Sequence, residues 1–254
     1  MLSRMSRRWV LSGLLLAAAA CHPSPPPPPP PPPSPRSRLQ LRARPGPVGS
    51  SSPSPGTTTL DLTNGRKGLL RVPRGEVSGL VVALHGAGGA PADALGLFEP
   101  VADEFGLVVL APASAGPTWS MVRGGADPDT PALDAALQAL FQQHSFDPSE
   151  VGVAGFSDGA SYALSLGLAN GDVFGKVVAF SPGFQAADRR QGRPAFFVTH
   201  GTRDEVLPIG RTSRRLVPAL RRDGYDVTYH EFDGGHSVLR PHVVESLRWF
   251  SEIS

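Results

Sequence analysis

From Val77 onward, short apolar runs alternate with longer amphipathic stretches. Val77 to Leu84, Leu107 to Ala111, Val151 to Ala154, Lys176 to Phe180 and Ala195 to Thr199 are four to eight residues long and almost wholly apolar. Runs of that length predict strands buried on both faces. Helical patterns lie between and after them: Ala92 to Glu104, interrupted by Pro100; Thr130 to His144, preceded by Asp127 and Asp129; Ala160 to Leu168; Ile209 to Asp223, ending at Gly224; and His242 to Ile253. Asp226 to Glu231 alternates as a last strand. Upstream, Thr58 to Leu62 and Leu69 to Val72 flank an Asn64-Gly65 turn signal and predict an edge hairpin. Strands alternating with helices, with apolar central strands, predict an α/β fold: a mostly parallel, doubly wound sheet with helices on both faces. There are no internal repeats.

The first 56 residues read differently. Residues 1–20 carry Arg4, Arg7 and Arg8 and then an apolar stretch from Trp9 to Ala20, too short to span a bilayer comfortably. This predicts a secretory signal peptide. Cys21 follows Ala18-Ala19-Ala20, an arrangement similar to a bacterial lipobox, although Ala18 stands where Leu is usual. Lipidation at Cys21 is the favoured reading and plain cleavage after Ala20 the alternative; either makes this an exported protein. Pro25 to Pro33 is unbroken proline, a stiff polyproline II spacer. The Pro-, Ser- and Arg-rich stretch after it extends a disordered tether over 21–56, so the folded domain is expected over 57–254.

This division changes the meaning of the charge. The whole chain carries +2, with 24 basic and 22 acidic residues. Seven arginines lie before Thr57; setting them aside leaves 17 basic against 22 acidic residues in the domain, a net charge near −5. A nucleic-acid surface does not follow from that balance. The one cysteine is Cys21, which excludes a disulfide or thiolate metal site in the domain, and the seven histidines show no metal-ligand spacing. No cofactor or metal is expected.

The candidate chemistry centres on Gly155-Phe156-Ser157-Asp158-Gly159, between an apolar run and a small-residue helical stretch. Strand, G-x-S-x-G and helix together form the context of a nucleophile elbow. The turn must be so sharp that the residues two before and two after the serine carry no side chain. It would lift Ser157 Oγ clear of the sheet and leave the Asp158 N–H free at a helix N-terminus, where negative charge on a carbonyl oxygen is stabilised. Two further clusters follow predicted strands, His200-Gly-Thr-Arg-Asp204-Glu-Val206 and Gly234-Gly-His236-Ser237. The ends of parallel strands are where open α/β sheets place ligands. His236 is the candidate base, with a reference pKa near 6.5 suited to proton exchange near neutrality. Asp204 is the candidate acid that orients the imidazole, with Asp233 as its rival. His200 is expected to pack beneath the site and His85 to order its own loop.

Leu84-His85-Gly86-Ala87-Gly88-Gly89 could bring the Ala87 N–H beside that of Asp158, giving two donors to one oxygen. Its spacing is not that of a dinucleotide-binding loop, and Pro91 follows at once. On GFSDG, HGTRDEV, GGHS and the His85-Gly86-Ala87 loop, the chain resembles the α/β-hydrolase superfamily. Within it, the phospholipase/carboxylesterase group and the polyhydroxybutyrate-depolymerase-like esterases are most similar. The resemblance covers roughly 79–250 and implies Ser157 as nucleophile, Asp204 as acid, His236 as base, and Ala87 and Asp158 as oxyanion donors. Asp158 departs from relatives that carry Gln, Ala, Met or Ser there.

The region between Ala111 and Asp129 is expected to form a cleft wall. Trp119 is its best candidate substrate contact or, equally, a core residue; Met121 lies beside it, and Phe184 follows the Lys176–Phe180 run. Without a long insertion for a lid, the cleft should be open, suiting a small or surface-accessible acyl ester. The resulting expectation is an exported serine carboxylic-ester hydrolase. A thioesterase, amidase or peptidase would use the same residues, and an envelope-tethered binding protein with a silent triad is the reading from another class.

Overall fold

The computed structural model describes residues 38–46, 54–124 and 126–252. The expected signal peptide, Cys21 and the proline run lie outside the described residues, as do residues 22–24, 34–37 and 47–53 of the expected tether. The described residues belong to one compact unit.

Eight strands form one sheet in the order β1-β2-β4-β3-β5-β6-β7-β8. β1 (Gly56–Asp61) and β2 (Lys67–Val72) are the expected hairpin, turning through Gly65 at φ 76°. β1 occupies the sheet edge, and β2 pairs antiparallel with β4 (Leu107–Ala111). β3 (Gly79–Leu84), β4, β5 (Val151–Phe156), β6 (Lys176–Phe180), β7 (Ala195–Gly201) and β8 (Val227–Phe232) run parallel. β3 is buried at every position because it lies between β4 and β5 with both faces covered. β8, at the far edge, is only partly buried.

Two apolar layers sandwich the sheet. On one face, Leu95, Phe98 and Val101 of α1 (Pro91–Ala102) and Val243, Leu247 and Phe250 of α6 (Arg240–Glu252) share a cluster with Val81, Val109 and Phe197. On the other, α3 (Asp129–Gln143), α4 (Asp158–Ala169) and α5 (Ser213–Arg222) meet Leu80, Val82, Val153, Val177 and Phe196. Lys176 begins β6 fully buried; its ammonium is held by both Glu150 carboxylate oxygens at 3.0 Å and lies 4.8 Å from the Phe250 ring centre.

The structure departs from the sequence expectation in two places. The domain does not begin at Thr57: Leu39, Leu41 and Ala43 are buried in the α3/α4 core, and the segment's backbone is held by Asn170 and Asp134. Alternation of Leu39, Leu41 and Ala43 with exposed or half-buried neighbours gives the segment one apolar face despite its Arg and Pro content. The single helix expected from Ile209 is broken at Thr212 (φ −120°, ψ −102°) into a 3-10 turn, Ile209–Arg211, and α5. There the Thr212 hydroxyl donates back to the Pro208 carbonyl at 3.1 Å, and Ser213 Oγ faces His200. A four-residue helix, α2 (Ser120–Arg123), lies within the stretch expected to form a cleft wall.

Candidate active site

Ser157 stands between β5 and α4 at φ 57°, ψ −119°; Ser157 and Ser181 are the non-glycine residues with positive φ among the described residues. That backbone is strained for a side chain and is held by its surroundings. A Cβ on Gly155 would stand 2.4 Å from the Gly159 carbonyl carbon, and one on Gly159 would stand 2.2 Å from Leu84 O. Both glycines are therefore steric requirements of the turn. Ser157 N–H donates to Phe180 O at 3.0 Å, tying the turn to the end of β6.

His236 lies on the loop after β8 with Nε2 2.9 Å from Ser157 Oγ and Nδ1 2.6 Å from Asp204 Oδ2. Its ring rests against Phe156, with centroids 4.8 Å apart. Asp204 follows β7 and its side chain is fully buried. Burial by itself pushes the carboxyl pKa up, but the hydrogen bonds from His236 and the Leu207 N–H outweigh it, so the group lies below its ordinary value. Oδ1 accepts the Val206 and Leu207 N–H groups at 3.0 and 2.7 Å. Because the ionised carboxylate can only accept, it requires a proton on His236 Nδ1. In the neutral ring that leaves the Nε2 lone pair facing the Ser157 hydroxyl.

Asp233 is not placed to do this: its carboxylate pairs with Arg203 at 3.0 Å and is largely exposed. The rival drawn from sequence proximity is therefore engaged at the surface. His200 is fully buried beneath the site. Its Nε2 lies 2.8 Å from Leu207 O and 3.1 Å from Asp204 Oδ2, and its Nδ1 2.7 Å from Ser213 Oγ. Since Leu207 O must accept, Nε2 carries the proton and Nδ1 accepts from Ser213. Burial drives its pKa down, against the raising effect of the Leu207 bond and the Asp204 charge.

Sequence reading did not single out Gly201. A Cβ there would stand 2.3 Å from Gly235 O, and beyond it Arg203 N–H donates to Gly234 O at 2.9 Å. The end of β7 is thus pressed against the loop carrying His236, which sets the acid and the base side by side. The H-G-T-R-D glycine was visible as a signal; its partner, a loop more than thirty residues on, was not.

The glycine-rich loop after β3 lies alongside the nucleophile turn, with a Cβ on Gly86 falling 3.4 Å from Ser157 Cβ. Its shape is fixed by Gly88 N–H to Pro117 O at 2.7 Å and Gly89 N–H to Gly86 O at 3.1 Å. His85 orders the loop: Nδ1 lies 2.8 Å from Gly86 O and Nε2 accepts the Ser114 N–H at 3.2 Å. Burial lowers its pKa and favours this neutral form. Ala87 sits at the tip of that loop and Asp158 is the first residue of α4. The Asp158 carboxylate, half-buried, accepts the Thr118 hydroxyl at 2.7 Å.

Trp119 is 1% exposed and belongs to the core. It stacks on Tyr162 with centroids 5.0 Å apart, and its Nε1 donates to His85 O at 2.9 Å, so it supports the glycine-rich loop from behind and offers no face to a substrate. Met121 is half-buried and lines a cavity of about 180 Å³ with Arg38, Leu39, Ser120, Asp127 and Ala186. Phe184 is exposed, on a loop anchored to Ser161 one helical turn after Ser157. Among the described residues no cluster of three or more His, Cys, Asp or Glu is arranged to hold a metal ion.

No protein-family model matches the chain. A probable feruloyl esterase C of Aspergillus terreus is 30% identical over 158 residues, 58% of this chain; the chain spans 57% of that relative's length. Among solved structures, esterase PE8 is 25% identical with a TM-score of 0.60, covering 78% of this chain and 98% of its own. A ferulic acid esterase from Anaeromyces mucronatus, solved with ferulic acid, is 16% identical with a TM-score of 0.60, covering 85% and 98%. An S-formylglutathione hydrolase from Staphylococcus aureus is 13% identical with a TM-score of 0.63, covering 78% and 99%. The fold is that of the α/β-hydrolases, as the sequence motifs implied.

Proposed function

We propose that this chain is a serine hydrolase of carboxylic esters, acting through an acyl-enzyme. The observation that carries the reading is the continuous hydrogen-bonded line Ser157 Oγ–His236 Nε2, His236 Nδ1–Asp204 Oδ2, at 2.9 and 2.6 Å. In the first half-reaction Ser157 Oγ bonds to the ester carbonyl carbon while its proton passes to His236 Nε2. The carbonyl oxygen becomes an oxyanion facing the Ala87 and Asp158 N–H groups. Collapse breaks the bond to the leaving oxygen, which takes the proton from His236 and departs as the alcohol. Water then attacks the acyl-enzyme, giving its proton to His236; release of the acid returns that proton to Ser157 Oγ. Asp204 holds the imidazole in the tautomer that both halves need. The likeness to the feruloyl esterase supports an ester over other acyl compounds.

The test is reaction of the purified protein with a fluorophosphonate probe and turnover on a matched ester, thioester and amide of one acyl group. Ester turnover and labelling that both vanish in Ser157→Ala, with the circular dichroism spectrum unchanged, are expected. A folded Ser157→Ala protein keeping more than about a tenth of wild-type kcat overturns the assignment.

The same reading includes export, supported by the basic-then-apolar start of the chain, and lipid attachment at Cys21, supported by its place after three alanines. No helix among the described residues is long and apolar enough to cross a membrane. Metabolic labelling with a fatty-acid analogue should tag the wild type and miss Cys21→Ser; an unlabelled, exported product beginning at Cys21 decides for simple secretion.

A further inference from the structure

The large apolar side chains that stand exposed among the described residues are Phe184, Val206 and Leu239, at 38%, 66% and 38%. Single exposed hydrophobics are ordinary on protein surfaces. Here all three lie on the loops that build one site, which is not ordinary. The loop bearing Phe184 is fastened to α4 by two hydroxyls one turn apart. Ser161 Oγ accepts Gly183 N–H at 2.9 Å, and Ser165 Oγ accepts Ala186 N–H at 2.9 Å. Ser161 is itself joined to the nucleophile, donating its N–H to Ser157 O at 3.0 Å. Val206 is two residues past Asp204 and gives its N–H to that carboxylate. The two loops touch, since a Cβ on Gly183 would stand 3.3 Å from Leu207 Cδ2. The loops bearing Phe184 and Val206 are therefore neighbours, one anchored to the helix that follows Ser157 and the other to Asp204. Leu239 stands apart from them, three residues past His236 on the base's own loop, next to Val238, which packs into the same core cluster as Phe156.

We propose that these three side chains form an apolar collar that selects uncharged esters with hydrophobic groups on both sides of the scissile bond. Phe184 and Val206 take the acyl group, and Leu239 takes the leaving alcohol. The inference rests on Ser157 being the nucleophile. The assignment of sides follows from proton delivery: His236 Nε2 must come within hydrogen-bond reach of the leaving oxygen, so the alcohol lies against the His236 loop. The acyl group points to the other side of the carbonyl, toward the loops fixed to α4 and to Asp204. The backbone anchors hold the collar in place before substrate arrives, so little ordering is lost on binding. A methylene fully withdrawn from water is worth about a fourfold gain in binding, and one half-covered by an open collar about twofold.

The experiment measures kcat/KM on two series: acetyl to octanoyl esters of 4-nitrophenol, and methyl to hexyl acetates. The wild type should rise by about twofold per methylene along each. Phe184→Ser and Val206→Ser should flatten the acyl series and leave the alkyl slope; Leu239→Ser should do the reverse. These positions are exposed, so the variants should fold, which circular dichroism checks. Flat wild-type series with turnover that still requires Ser157 overturn the collar while the hydrolase reading stands. So does a Leu239→Ser effect on both slopes alike. Dissociation of a dimer in Val206→Ser or Leu239→Ser, with slopes unchanged, would make the patch a contact between copies of the chain and refute the proposal. Absence of any Ser157-dependent turnover removes the nucleophile reading and the collar with it.

Discussion

Asn170, at the C-terminal end of α4, clasps the backbone of Leu39 and Leu41. Its Oδ1 accepts the Leu41 N–H at 2.7 Å, and its Nδ2 donates to Leu39 O at 2.7 Å and to Leu166 O at 2.9 Å. Asp134 does the same from α3, accepting the Arg42 and Ala43 N–H groups at 2.7 and 2.8 Å. With Leu39, Leu41 and Ala43 buried between these clasps, residues 39–43 belong to the domain's core.

A chain starting at Thr57 should therefore be markedly less stable than one starting at Arg36. Losing two buried leucines costs about 2–5 kcal/mol each when the site cannot collapse. Asn170→Ala should cost about 1–3 kcal/mol, since it strands a buried backbone N–H. Urea midpoints of the two truncations and of the Asn170 variant measure this; equal midpoints for the two starts would show that the segment contributes nothing.

The acid assignment predicts a ranking. Asp204→Asn keeps the shape but favours the wrong imidazole tautomer, for which a loss of about 10⁴-fold in kcat is the protease precedent. Asp233→Asn removes only an exposed pair with Arg203 and should stay within about threefold. The double variant Asp204→Asn/His236→Ala should be little worse than His236→Ala, because the members act as one unit. Measuring kcat/KM on one activated ester settles the order, and a folded, near-normal Asp204→Asn protein would overturn it.

Stability should respond to pH in two windows. His85 and His200 have folded-state pKa values below the ordinary 6.5, so the unfolded chain binds more protons as pH falls through that value. Their contribution is complete above about pH 6.5 and declines as pH drops toward their folded values. Asp204, also depressed, contributes above its ordinary 3.8, and that share is lost only at lower pH still. The Tm should thus fall between about pH 7 and 5, and His200→Gln should shallow that slope. A Tm independent of pH across this range, or a slope untouched in His200→Gln, contradicts the buried-neutral reading.

Asp158 predicts discrimination by charge. Its carboxylate stays beside the nucleophile on the Thr118 hydroxyl. Against an acyl group ending in a carboxylate, one unit charge nearby should weaken turnover by about three- to tenfold relative to the methyl-capped isostere. Asp158→Asn keeps the N–H donor and should narrow that ratio, the effect shrinking with added salt. A ratio identical in the two proteins would place the charge out of the substrate's reach.

The sequence by itself determined the sheet, the elbow and the three groups that meet at it. These depend on local rules: apolar runs of strand length, glycines two residues either side of Ser157, and the placement of Asp204 and His236 just past strands. What only the tertiary structure decided depends on partners far along the chain. Leu41 and Asn170 are 129 residues apart, so an Arg- and Pro-rich stretch that reads as tether is drawn into the core by a clasp its composition does not announce. Trp119 could equally have lined the cleft until its stacking on Tyr162 and its bond to His85 O fixed it behind the loop. Asp233, nearer His236 in sequence, is held outward by Arg203, whereas Asp204 is carried inward because Gly201 lets β7 close on the His236 loop. Local periodicity sets which elements form; the choice among neighbouring side chains of equal chemistry is made by long-range contacts that exist only once the sheet has assembled.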